Sequence, residues 1–203
     1  MKERISNKER DRQFQLGYRL AFDNSTKRRN WSNIFALWLS AARHGHIRAQ
    51  FYLATCYDNG LGVKKDIKEA FTWYMKAAKC GHMESQYNIG LFFRKGEVVK
   101  QDFRKAVQWF ALSAARGDRE AQRDLGYCYF YGNGVQEDHV AAVYWYKKAA
   151  SKDNPMALYN LGLCYKHGDG VRKSVRWAEY YFEKAGQLGH KKSDKELKRI
   201  GSH

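Results

Sequence analysis

One spacing, 36 residues, organises this chain from near its beginning to its end. A pair of adjacent aromatic or apolar residues returns at this interval five times. A fixed period of about 20 to 50 residues is typical of a stacked array of repeats rather than of a single closed core. The period therefore directs attention to binding rather than to catalysis. The pairs are Leu37-Trp38, Trp73-Tyr74, Trp109-Phe110, Trp145-Tyr146 and Tyr181-Phe182.

Each repeat contains the pattern of two helices. Ala49, Leu53 and Tyr57 are spaced four residues apart, so they share one face of a first helix. Ala70 and Ala77 share a face of a second helix with the aromatic pair between them. Small residues at these positions let two helices approach closely, while the bulky rings fill the space beside them. We expect the pair, through Trp73, Trp109 and Trp145, to form the core seam of the stack.

Polar residues and glycines mark the ends of the predicted helices. A side-chain oxygen just before each second helix is expected to cap it, and a glycine just past its end is expected to close it. Pro155 falls at the start of a first helix, where its missing N–H costs nothing. In the third repeat, Val98 replaces the second turn glycine, and we expect that turn to have another shape. The capping residues are Asp66, Asp102, Asp138 and Ser174, and the closing glycines are Gly45, Gly81 and Gly117.

The pattern resembles the Sel1-like repeat family, a relative of the tetratricopeptide repeats. The resemblance is carried by the segments 85–90 (SQYNIG) and 157–162 (ALYNLG) and by the complete turn and helix at 129–150. The resemblance implies an all-α fold, a right-handed α/α solenoid of about five 36-residue helix-turn-helix repeats plus a C-terminal capping helix. It also implies a non-enzymatic adaptor or scaffold, a class that includes small immunity proteins.

The same comparison sets the expected boundaries. Residues 1–11 form a basic N-terminal segment that need not be ordered, and residues 12–200 form a single solenoid. Its approximate repeats are 12–46, 47–82, 83–118, 119–154 and 155–190, with a cap at 191–200.

The charge balance is strongly basic, with 37 Lys and Arg against 21 Asp and Glu and a net charge of +16. Such a surface attracts acidic proteins, nucleic acid or anionic lipid, although lysine-rich helix faces can equally well serve solubility alone. We find no secretory signal and no run long enough to span a bilayer, so a cytoplasmic location is expected. Cys56, Cys128 and Cys164 occupy one repeat position, too far apart for disulfides, and are expected to be free thiols.

The first helices of such an array line its concave face, so their outward residues form ladders across a groove. Aromatic residues and arginine are the usual anchors of protein interfaces. Packing of these rings between neighbouring helices is the alternative interpretation of each one. The predicted partner-binding residues are Phe51, Tyr87, Arg94, Arg123, Tyr127, Tyr159 and Lys166.

The sequence therefore predicts an interaction module, with monomer favoured, that binds an acidic protein or peptide in its groove. A narrower version is an immunity protein that blocks a cognate toxin. The alternative is a nucleic-acid-binding protein that uses the basic ends and the groove aromatics. We find no catalytic constellation and expect no cofactor. His46, His82 and His190 share a loop position where helix capping is a better explanation than metal binding.

Overall fold

The computed structural model of the chain describes residues 5–23 and 28–200, and the regular elements within them are eleven α-helices. Residues 1–4 of the predicted N-terminal segment lie outside this described part. The helices divide into two compact units, with the boundary between Lys100 and Gln101. None of the helices in the described ranges is both long and apolar enough to cross a bilayer.

Unit 1 holds five helices and unit 2 holds six. Those of unit 1 are α1 (Asn7–Phe22), α2 (Trp31–Arg43), α3 (Ile47–Asn59), α4 (Ile67–Lys79) and α5 (Met83–Lys95). Those of unit 2 are α6 (Phe103–Ala115), α7 (Arg119–Tyr131), α8 (His139–Ala150), α9 (Pro155–His167), α10 (Val175–Gln187) and α11 (Lys191–Ile200).

Within each unit, the main packing partners of a helix are its neighbours in the chain. The helix order confirms the predicted fold class, an all-α solenoid of five helix-turn-helix repeats with α11 as a terminal helix. Contacts between sequence neighbours are the organising rule of repeat arrays, because each repeat buries its apolar face only against the next.

The second member of each aromatic pair fills the core. In the last four repeats these residues are spaced four positions from small residues on both sides, and all five are almost completely buried. The first member of each pair precedes the core ring by one residue, which places its side chain about 100° around the helix from that ring. Of the first members expected to form the core seam, Trp73 is buried, whereas Trp109 and Trp145 are partly exposed, so that expectation holds for Trp73 and is wrong for the other two. The core rings are Trp38, Tyr74, Phe110, Tyr146 and Phe182.

Three of these rings, including Trp38, lie directly on the backbone of the preceding first helix. A Cβ placed on Gly126 would come within 2.7 Å of the Tyr146 ring, and one on Gly162 within 2.5 Å of the Phe182 ring. Real Cβ atoms do not approach other atoms this closely, so only glycine permits this packing. The glycine on the first helix and the ring on the second are therefore one packing unit.

The predicted helix ends are confirmed. Asp66 accepts hydrogen bonds from the backbone N–H groups of Lys68 and Glu69 at 3.0 and 3.1 Å, and the other three predicted residues cap their helices in the same way. Pro155 is the first residue of α9. The closing glycines have positive φ, and Asp153 takes the same conformation at φ +54° in the repeat that lacks this glycine.

The turn of the third repeat shares the φ of the other turns and differs from them in its hydrogen bonds. The φ of Val98 is +66°, against +72° at Gly62 and +78° at Gly134. Val99 N–H donates to the Glu97 carbonyl at 2.7 Å, whereas in the fourth repeat Asn133 N–H donates to the Cys128 carbonyl. A Cβ on Gly62 would lie 2.1 Å from the carbonyl oxygen of Trp31, at the start of α2. At the corresponding place, Val98 and the start of α4 border an open cleft of about 970 Å³. Val98 therefore keeps the glycine conformation without the close backbone contact.

We predict that Val98→Gly stabilises the protein. A β-branched residue with positive φ is strained by roughly 1–2 kcal/mol, and relief of this strain exceeds the added entropy of a glycine in the unfolded chain. The expected gain is about 1 kcal/mol, or about 2–4 °C in Tm for a chain of this size, measured by thermal unfolding. Gly134→Val is the matched control and should lower Tm, because its Cβ would lie 2.3 Å from the carbonyl oxygen of Phe103. A lower Tm for Val98→Gly would contradict the assignment of strain.

Candidate partner-binding surface

Three of the seven predicted partner-binding residues lie in unit 1. Phe51 on α3 is partly buried, and its ring stacks on the imidazole of His82 with the centroids 4.8 Å apart. Tyr87 and Arg94 lie on α5 and are also partly buried. In unit 1 the predicted residues therefore combine packing with partial exposure, and Phe51 has a clear structural role.

Unit 2 contains the most exposed of the predicted residues. Tyr127 on α7 is 43% exposed, and Tyr131, one turn further along the same helix, is 56% exposed. The two ring centroids lie 4.5 Å apart. Tyr131 was not predicted, although its spacing of four from Tyr127 places both on one helical face. The equivalent residues of neighbouring repeats are Lys95 and His167, so the tyrosine is a departure from the repeat.

The tyrosine pair borders a small apolar recess between α7 and α9. Tyr127 and Tyr131 form its mouth, and the buried ring of Tyr146 and thiol of Cys164 lie behind them. The recess has a volume of about 50 Å³, roughly the size of one small apolar group. Its walls are completed by Phe130, Asn160 and Leu163.

Tyr159 on α9 is held mainly by its own unit. Its ring lies 4.4 Å from the imidazole of His190 and 5.6 Å from the ring of Phe182. Burial raises the pKa of its hydroxyl, and the charges of Glu196 and Arg199 act on it in opposite directions. Tyr159 therefore links the first-helix face of α9 to the charges of α11.

Lys166 at the end of α9 has a partner within the chain. Its Nζ donates to the carboxylate of Glu196 on α11 at 2.6 Å, and Arg199 donates to the other oxygen at 2.7 Å. The hydrogen bond from Lys166, assisted by both positive charges, lowers the pKa of Glu196. A buried carboxylate held by two cations fixes α11 onto the last repeat.

Arg123 on α7 is similarly engaged. Its guanidinium lies 2.9 Å from Asp124 and 3.3 Å from Glu120, and its side chain is only 17% exposed. Since both acidic residues are on the same helix, the Arg123 side chain neutralises negative charge within α7 itself. Its positive charge is largely compensated before any partner arrives.

Two buried thiols and two histidines of the described part have surroundings that fit structural roles. Burial raises the pKa of the Cys56 and Cys164 thiols to about 12, so neither is a thiolate near neutral pH. Within residues 5–23 and 28–200, no group of three or more His, Cys, Asp or Glu side chains is arranged to hold a metal ion. His46 and His82 instead cap α3 and α5, each accepting a backbone hydrogen bond at Nδ1.

The chain is similar to members of one known family of repeat proteins. A family model of the Sel1 repeat matches residues 47–82, 84–118, 119–154 and 155–190. A solved protective antigen of uropathogenic Escherichia coli with an SLR fold is 34% identical, with a TM-score of 0.87. The match covers 93% of this chain but only 40% of that antigen. A Sel1 repeat protein from Oxalobacter formigenes is 31% identical, with a TM-score of 0.85 and coverage of 94% and 78%.

A more distant solved structure is an immunity protein from Pseudomonas aeruginosa. It is 23% identical with a TM-score of 0.56, and the match covers 93% of this chain and 69% of that one. A likeness at this level of identity concerns the fold alone. A comparison with proteins of curated function gives no match.

We predict that the capping histidines make stability fall as the pH falls through the value of an unfolded histidine, 6.5. Burial lowers the pKa of both His46 and His82, so the unfolded chain takes up protons first and is favoured as the pH decreases. Protonation also removes the Nδ1 acceptor that caps each helix. Thermal unfolding between pH 8 and pH 5 measures the effect.

The double variant His46→Asn/His82→Asn is the matched test, because Asn154 caps α9 through the same hydrogen bond. Its Tm should change less between pH 7 and pH 5.5 than that of the unmodified protein. An equal pH dependence in both proteins would rule out the histidines as its source.

Proposed function

Because the chain belongs to the Sel1 repeat family, we propose that it is a non-enzymatic interaction module that binds an acidic protein segment on the first-helix face of unit 2. The general basis for this proposal is that Sel1 repeats are protein-interaction modules. The observation that carries it is the exposed Tyr127–Tyr131 pair over an apolar recess.

The tyrosine pair has the properties of an interface anchor. A large ring that is about half exposed gains apolar burial when a partner covers it, and its hydroxyl can still hydrogen-bond at the rim. The adjoining recess accepts one small apolar group from the partner. Leu163, which lines the recess, lies on α9, so a bound segment would contact two successive first helices of unit 2.

The charge around this face supports an acidic partner. Lys195 on α11 is exposed and occupies the repeat position of Tyr159. The whole chain carries a net charge of +16. Positive potential of this size accelerates encounter with an acidic surface and suppresses binding of basic ones.

The narrower proposal is that the acidic partner is a toxin and that this chain is its immunity protein. Support comes from the shared fold with the Pseudomonas aeruginosa immunity protein and from the basic surface. An inhibitor needs a large surface that covers a functional site, and a repeat array supplies such a surface without any catalytic group of its own.

We also propose a cytoplasmic location for the protein. Cys56 and Cys164 are buried free thiols, and Cys80 is an exposed free thiol. An exposed thiol without a partner persists best in a reducing compartment. The cysteine chemistry therefore fits the cytoplasm better than an oxidising one.

The experiment is to identify a partner by affinity capture from the native organism and to measure its affinity for Tyr127→Ala/Tyr131→Ala by titration calorimetry. We predict a loss of at least about 30-fold in Kd, equivalent to about 2 kcal/mol for a pair of anchor residues. Tyr144→Ala is the matched control, because it also removes a half-exposed tyrosine but from α8. Its Kd should be unchanged.

Two results would overturn this proposal. A partner that binds the double variant with the original Kd would exclude the tyrosine pair as the anchor. Tight, steeply salt-dependent binding of random oligonucleotides, in place of a protein, would favour the nucleic-acid alternative.

A further inference from the structure

A second cluster of rings lies in the last repeat of unit 2, with three rings on α10 and one on α9. We define the α10 aromatic patch as Tyr165, Trp177, Tyr180 and Tyr181. Trp177 lies 5.5 Å from Tyr180 and 6.0 Å from Tyr181, and Tyr181 stacks on Tyr165 at 5.5 Å. The four rings are therefore in continuous contact. They are distinct from the Tyr127–Tyr131 pair, which lies on α7.

Two rings of the patch, Trp177 and Tyr180, lie outside the core. Trp177 is 49% exposed and Tyr180 is 45% exposed, whereas the neighbouring Phe182 is completely buried and fills the core position of this repeat. Exposing two large rings side by side is unfavourable for an isolated domain, because each leaves apolar area in water. The exposure therefore calls for an explanation outside the fold.

Other repeats of the same chain show that these rings are not needed to form a second helix. At both positions the other repeats mostly carry small or polar side chains, and their helices form equally well. Trp177 and Tyr180 therefore differ from most residues at the same positions in the other repeats, and the difference lowers solubility. The residues at the position of Trp177 are Glu69, Lys105 and Ala141, and those at the position of Tyr180 are Thr72, Gln108 and Tyr144.

A cleft of about 540 Å³ lies beside the patch. The rings of Tyr165 and Trp177 form one wall with Val171, and the loop before α10 supplies Arg172 and Lys173. Both cations are exposed, as is Arg176 within the first turn of the helix. The cleft therefore joins an aromatic wall to a basic rim.

We propose that the α10 aromatic patch is a second docking site, which binds an acidic protein segment that inserts an aromatic or leucine side chain into this cleft. The inserted side chain would contact Trp177 and Tyr165. Carboxylates on either side of it would pair with Arg172 and Lys173. Tryptophan, tyrosine and arginine together at one site are the composition of interface hot spots.

The same observations disfavour other occupants. A bilayer is flat and cannot fill a cleft. A net charge of +16 on each molecule opposes the association of two copies. A peptide can alternate acidic and apolar side chains, so it can contact both the aromatic wall and the basic rim of the cleft.

The test uses the whole chain and three fluorescein-labelled peptides of the form Asp-Glu-Asp-X-Glu-Asp-Glu, in which X is Phe, Trp or Leu. The matched peptide has Ala at X. Fluorescence anisotropy should show saturable binding of at least one of the three, with Kd on the order of 10–100 µM, and binding at least about tenfold weaker for the alanine peptide.

The decisive variant is Trp177→Lys/Tyr180→Gln, which installs the residues that α6 carries at the same positions, Lys105 and Gln108. We expect this variant to keep its Tm and to lose at least about tenfold in peptide affinity. Tyr144→Gln and Tyr127→Ala/Tyr131→Ala should both retain the original affinity. The last control separates this site from the first-helix face, so either proposal can fail alone.

Four results would overturn the inference. One is that none of the three peptides binds more tightly than the alanine peptide. Another is that Trp177→Lys/Tyr180→Gln binds the peptide with unchanged affinity. A third is tighter binding of an oligothymidylate than of any peptide, which would assign the patch to single-stranded nucleic acid. The last is a concentration-dependent dimer, seen by analytical ultracentrifugation, that the double variant abolishes, which would assign the patch to a second copy of the chain.

Discussion

In the last two repeats, the close approach of one ring to one glycine determines how the two helices can pack. Tyr146 lies against Gly126, and Phe182 lies against Gly162, at distances that leave no room for a Cβ. Ala142, four residues before Tyr146, keeps the same helix face narrow and buried. A larger side chain at any of these positions would separate the helices and remove dispersion contacts from the whole seam. Since each helix packs mainly on its chain neighbours within its unit, this local rule is sufficient to build the array.

Because the rule uses few positions, the remaining surface positions are free to vary between repeats. Departures from the repeat at exposed positions therefore carry more information about binding than the repeated residues do. Tyr131 stands where neighbouring repeats have lysine and histidine, and Trp177 stands where they have glutamate, lysine and alanine. In both places a polar side chain is replaced by a large ring that the core does not use. Selection for stability or solubility would favour the opposite exchange.

The sequence predicted what depends on local hydrogen bonding and missed what depends on distant neighbours. Caps such as Asp66 follow from the chemistry of helix ends, and they were correct. Trp145 was placed in the core because a one-residue shift along a helix is a rotation of about 100°, which spacing alone resolves poorly. Val98 has the positive φ of the turn glycines, and its turn contains a hydrogen bond from Val99 N–H to the Glu97 carbonyl that residue spacing does not predict. The partner of Lys166, Glu196, is 30 residues away, so its contact could not be predicted from either residue alone.

The arrangement of charge gives the exposed cations and the half-exposed rings different roles in binding. Arg123 and Lys166 already face carboxylates of their own unit, so a partner can use them only by displacing an existing ion pair. Exchange of one ion pair for another yields little net affinity, since the cost of desolvation is paid on both sides. Exposed cations such as Lys195 and Arg172 act at longer range and mainly raise the rate of encounter. The half-exposed rings then determine how long a partner stays, because burial of apolar area acts chiefly on the dissociation rate. Raising the salt concentration should therefore slow association with this protein much more than it speeds dissociation.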